Sequence, residues 1–182
     1  MLLLGCKPKG RHTEQHDVLF AIGTRLADLT DQIKAFWPEA ADRIHLDAWR
    51  EVTSVNGYQI EVVEKTQASA EQKEKLFFIN LGGYTEGVFA EQHYIMLAVN
   101  ETNAGATKTA KETVFYKEVH FPGAESHIDD KYAIDVDDLY DVEDILPAGI
   151  KEKYSIKISK NESLAEDEVH LGYFKMSRVE KM

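Results

Sequence analysis

Apolar residues along the chain gather in short runs closed by glycine, asparagine or charge. LLLG (Leu2 to Gly5) and LFFINLGG (Leu76 to Gly83) read as buried strands ending at Gly, and HDVLFAIG and HYIMLAVN read as the strands that follow them. The period then changes. Leu26, Leu29, Ile33 and Phe36 recur at helical spacing until Pro38 stops the run, whereas Ala106, Ala110 and Val114 mark a shorter helical face that contains Gly105. HLDAWREV and YQIEVVE alternate apolar with polar and predict two more strands. EKTQASAEQKEK, Glu64 to Lys75, offers no large apolar residue to bury and reads as a linker. The last 22 residues open polar but contain VHLGYFKM (Val169 to Met176), which predicts a strand docked on the body of the protein.

Two of these stretches are versions of one another. Gly5, Gly10, Glu14, Gln15 and His16 map onto Gly82, Gly87, Glu91, Gln92 and His93 at one offset, since 82 − 5 = 93 − 16 = 77. Further on, IHLD (Ile44 to Asp47) resembles SHID (Ser126 to Asp129), and YQIEV (Tyr58 to Val62) resembles YSIKI (Tyr154 to Ile158). Internal duplication explains this economically. The expected fold is α+β: two tandem homologous β-β-α-β-β units, residues 1–63 and 76–160, packed with pseudo-twofold symmetry. Residues 64–75 join them and 161–182 form a C-terminal extension. The acidic segment Asp129 to Pro147 reads as an elaboration peculiar to the second unit.

An opening strand ending in Gly, an E-x-H-D/Y-apolar stretch, a helix, an H-x-D and a Gly57-Tyr58 strand together resemble the bacterial family catalogued as domain of unknown function 1543. The likeness extends over both copies, roughly Met1 to Ile158. In the second copy Tyr94 stands where the first has Asp17, and Lys153-Tyr154 where the first has Gly57-Tyr58. The resemblance implies an organisation of one or two copies per chain and carries no activity or catalytic residue.

A chain of 182 residues, 43% hydrophobic, suffices for one sizeable domain or two small ones sharing a core. With 21 basic against 32 acidic residues its formal charge is −11, which repels phosphate backbones and anionic lipid surfaces, so neither nucleic acid nor membrane is expected as a partner. Cys6 is the single cysteine, which excludes an internal disulfide and fits a cytoplasmic setting. MLLLGC resembles a lipoprotein cleavage box but lacks a basic segment and a long apolar run, and it reads as the first strand. The expected function is a small binding or interaction module, with an unknown small molecule or protein as partner and a homodimer as a possible assembly.

The G-x(4)-G spacing of Gly5 and Gly10 is no phosphate loop: Arg11 and His12 stand where Lys and a hydroxyl belong, and a strand follows instead of a helix. The polar chemistry lies elsewhere. Glu14-x-His16 with His45-x-Asp47, repeated as Glu91-x-His93 with His127-x-Asp129, sets imidazole and carboxylate at i and i+2, side by side on a strand. Such pairs are commonly hydrogen-bonded ties between strands. If two pairs converge, they form a site for Zn, Mn or Fe, in which a carboxylate could serve a hydrolase or isomerase as base. No cofactor is expected on the first reading; a divalent metal is the alternative. DVDDLYDVED (Asp135 to Asp144) lacks the glycine and closing Glu of a calcium loop and reads as a solvated face.

Overall fold

The computed structural model describes residues 1–84, 87–113 and 134–182. Its described strands form three antiparallel sheets accompanied by helices, an α+β architecture. The N-terminal sheet holds β1 (Leu2–Cys6), β2 (Gln15–Leu19), β3 (His45–Trp49) and β10 (His170–Lys175), in the order β10-β3-β1-β2. A second sheet holds β6 (Lys75–Tyr84), β7 (Glu91–Asn100) and β8 (Ile134–Asp141), in the order β7-β6-β8. The third joins β4 (Ser54–Val55), β5 (Tyr58–Glu64) and β9 (Tyr154–Lys160). Asn56 and Gly57, both at positive φ, make the two-residue turn between β4 and β5.

Period-2 alternation divides each long strand between two cores. Along β6, Phe77, Ile79 and Leu81 face helix α2 (Asn103–Lys111) together with Ala98, Ala106 and Ala110. Leu76 and Phe78 face the opposite way, into a central core shared with Val18, Phe20, Leu97, Val99, Ile60 and Ile156. Phe20 and Phe78 meet there edge to face, 5.5 Å between centroids. In the N-terminal sheet Leu2, Leu4 and Cys6 pack with Leu29 and Ile33, the latter on helix α1 (Thr30–Phe36). The two helices differ in how they meet their sheets. Large aliphatics fill the space under α1; under α2 alanines let the helix lie close, and a Cβ on Gly105 would overlap the Asn100 side chain. Gly105 therefore belongs to the packing, and Thr102 caps the helix by accepting from the Gly105 N–H at 3.1 Å.

The register of the two sheets repeats in detail. Gly5 pairs with His16 on one side and His45 on the other; Gly82 pairs with His93 and Asp135. An irregularity interrupts β1–β3 between Leu3 and Leu4, and another interrupts β6–β8 between Asn80 and Leu81, again 77 residues on. Residues Asp47 and Asp137 are the extra residues at these bulges. Gly10 and Gly87, at φ 81° and 78°, turn the chain into β2 and β7.

The middle of the acidic segment Asp129 to Pro147 is thus a sheet strand: β8 meets β6 as β3 meets β1, where the sequence suggested an elaboration. IHLD finds its register counterpart in IDVD (Ile134 to Asp137), while His127 and Asp129 lie outside the described residues. The linker also takes part in the structure. Gln72 donates to the Ile156 carbonyl at 3.0 Å and accepts from the Ile158 N–H at 2.9 Å, closing the free edge of β9. The C-terminal residues return to the N-terminal sheet through β10, and the Asp167 carboxylate accepts from the backbone N–H groups of Thr53 and Ser54.

Candidate functional site

Polar side chains gather where the bulges re-aim them. On β1 the residue between the flanking strands is Gly5, whose Cβ would overlap both Asp47 Oδ2 and His45 Nε2. Only a glycine lets these groups rest directly on the backbone. Across it, His45 Nε2 lies 2.8 Å from Glu14 Oε1 and 3.3 Å from Asp47 Oδ1, and His16 Nε2 lies 3.2 Å from Asp47 Oδ2. All four residues singled out in the N-terminal stretch therefore come together, but as a chain, Glu14–His45–Asp47–His16. Its centre is buried: the His45 side chain is 5% exposed, with the Tyr173 ring of β10 over it at 4.3 Å. His45 Nδ1 faces the Arg43 carbonyl oxygen at 3.4 Å, so oxygens stand opposite both ring nitrogens. Asp47 Oδ2, despite its distance to His16, makes no well-aligned hydrogen bond and is shut away from water.

The counterpart on the second sheet is open. Glu91 and His93 project from β7, Asp137 from the bulge of β8, and each offers a donor atom such that all three lie within 4.8 Å of one another. His93 Nδ1 is 3.3 Å from Asp137 Oδ2, and His93 Nε2 is 3.7 Å from Glu91 Oε2. Gly82 is the floor: a Cβ there would overlap the Asp137 carboxylate. Asn80 approaches from below, its amide Nδ2 3.4 Å from His93 Nδ1 and donating to Asp138 Oδ2 at 3.2 Å. The negative potential is felt by Tyr84, whose phenol is pushed above its usual range chiefly by the charge of Glu91, with a smaller contribution from Asp137.

The sequence reading missed Asp137, whose signal is the i, i+2 spacing of Asp135-x-Asp137, the same as His45-x-Asp47. It also missed Tyr173. A second site type has no local motif at all: a cleft of about 800 Å³ where the N-terminal and second sheets meet the β4–β5–β9 sheet. Phe20, Ile22, Trp49, Leu76, Leu146 and Ile156 are among its walls, with Arg25, Arg50 and Glu51 among its polar lining. Arg25 is engaged by Asp28 at 2.9 Å. Arg50, half-buried, has no hydrogen bond or ion pair to its guanidinium among the described residues. The indole Nε1 of Trp49 is likewise buried without an acceptor. Cys6 is a buried core residue and Trp37 packs at the edge of the same core.

Among known proteins, the family described as Domain of Unknown Function (DUF1543) matches residues 11–62. This span contains Glu14, His16, His45 and Asp47. No curated protein matches the chain in sequence. The crystal structure of a protein Il1583 from Idiomarina loihiensis is similar in fold, with a TM-score of 0.59 at 16% identity, covering 96% of this chain and 94% of that one. None of the described helices is long and apolar enough to cross a membrane.

Proposed function

We propose that the protein is a binding module built from two related halves, and that the cleft between them receives a small molecule with an apolar body and one acidic group. The pairing of β5 with β9 supports the symmetry. Tyr58 pairs with Lys160 and Glu64 with Tyr154, and the offset 154 − 58 = 160 − 64 = 96 exchanges the two pairs. Glu61 and Lys157, 96 apart, lie opposite each other at the centre and form an ion pair of 3.0 Å. An axis through that pair would relate the halves.

The observation that carries the ligand reading is the cleft itself. Its size and apolar walls are those of a small-molecule pocket, and such pockets favour interfaces between structural units. The uncommitted guanidinium of Arg50 at half burial suits a carboxylate, to which Arg offers paired donors. Trp49, in the cleft wall, makes the test direct: intrinsic fluorescence should change saturably with decanoate and with decanol. Arg50→Ala should weaken decanoate binding by about tenfold, the scale of one charge-assisted hydrogen bond, and leave decanol binding unchanged. A flat titration with both compounds would sink the proposal, and equal affinities for decanoate in wild type and variant would remove its acidic half.

A metal-dependent hydrolase or isomerase is the second reading, favoured by the convergence of Glu91, His93 and Asp137.

A further inference from the structure

The two polar clusters share a scaffold but differ by one side chain. In the N-terminal sheet an imidazole, His45, stands between the carboxylates of Glu14 and Asp47 and presents Nε2 to both. At the same register position the second sheet has Asp135, so no imidazole stands between Glu91 and Asp137 from that strand. The buried cluster sets His45 Nε2 against both of its carboxylates. Among the described residues the other sets His93 beside its carboxylates, Nδ1 3.3 Å from Asp137 Oδ2 and Nε2 3.7 Å from Glu91 Oε2, and it opens to solvent.

We propose that Glu91, His93 and Asp137 form a site for a divalent transition-metal ion, with zinc preferred over manganese. Nitrogen and oxygen donors already lie within 4.8 Å of one another, so modest side-chain rotation brings them to the roughly 2.0–2.2 Å bonds of zinc. Two strands with a common neighbour, β7 and β8 on either side of β6, fix their backbones. Gly82 leaves the floor free for the Asp137 carboxylate. One imidazole with two carboxylates favours zinc over manganese and both over magnesium, whereas an acidic patch without a coordinating nitrogen would take magnesium and calcium as readily. The proposal is independent of the cleft.

Equilibrium dialysis or calorimetry of the full chain with zinc chloride, manganese chloride and magnesium chloride tests it. One zinc per chain is expected, displaced by manganese only in excess and unaffected by a hundredfold excess of magnesium. His93→Ala and Asp137→Asn should each lower zinc affinity at least tenfold. His16→Gln, the exposed histidine of the other cluster, should leave stoichiometry and affinity unchanged. Absence of zinc uptake at 100-micromolar concentration (on the order of a weak ligand site), competition by magnesium on equal terms, or loss of uptake in His16→Gln with retention in His93→Ala would each overturn the assignment. Because Glu91, His93 and Asp137 are exposed, folding of the variants can be verified by an unchanged melting curve.

Discussion

The N-terminal and second sheets place glycine, histidine and carboxylate at matching positions, and the outcome is a buried cluster in one and an exposed cluster in the other. His45 is 5% exposed and His93 is 45% exposed, although both sit beside carboxylates over a glycine. Two differences account for this. The N-terminal sheet has a fourth strand, β10, that lays Tyr173 over His45, and β8 has no such neighbour among the described residues. Asp135 also replaces His45 in register. The strand scaffold therefore sets where polar groups meet; what covers the meeting point and which residue stands at its centre decide whether the cluster is buried or exposed.

The largest effect that would sharpen this contrast lies under the helices. Ile33→Ala removes a fully buried aliphatic side chain that α1 presents to its sheet and should cost about 2–5 kcal/mol in urea unfolding, whereas the buried residues of α2 itself, Ala106 and Ala110, leave no equivalent truncation on that helix. Next comes His45→Ala, expected to cost about 1–3 kcal/mol by stranding a carboxylate at a shielded position, while His93→Ala stays within about 0.5 kcal/mol. Comparable losses at the two histidines would break the distinction between closed and open clusters. Gly5→Ala should cost about 1–3 kcal/mol because its Cβ meets a buried ring as well as a carboxylate, and Gly82→Ala less, since the exposed Asp137 can swing aside. The smallest effect concerns likeness: Gly10→Ala and Gly87→Ala, each at φ near 80° with open space around a Cβ, should lose about 1 kcal/mol apiece. A difference of more than about 0.5 kcal/mol between them, beyond the scatter of ordinary surface substitutions, would argue against a shared turn.

Much of this was legible in the residues themselves. Short apolar runs closed by glycine or asparagine located β1, β2, β6 and β7, period-2 alternation located β3 and β5, and the i, i+2 spacing of Glu14-x-His16 and His45-x-Asp47 raised a meeting of the two pairs as a condition without establishing it. β8 was hidden because five of its eight residues, IDVDDLYD, are acidic or tyrosine with polar faces, and a strand flanking a sheet needs only one buried side. The bulge that brings Asp137 over Gly82 leaves no local mark. Nor does the sequence of VHLGYFKM say which free edge it will join, so the cover over His45 depended on tertiary structure. The cleft is legible from no single segment, since its walls come from residues as far apart as Phe20 and Ile156.

The β5–β9 ladder has a consequence for how the chain could be divided. Its seven consecutive pairs and the central core beneath them join residues on either side of an exposed segment, Thr66 to Ala70. Cutting the backbone there removes no residue from the ladder, and Gln72, which bonds β9, lies on the C-terminal side of such a cut and stays with it. Residues 1–68 and 69–182, expressed as separate polypeptides, thus carry complementary edges and complementary halves of one apolar interior. They should recognise each other as two subunits of a heterodimer, with a melting temperature that depends on their concentration.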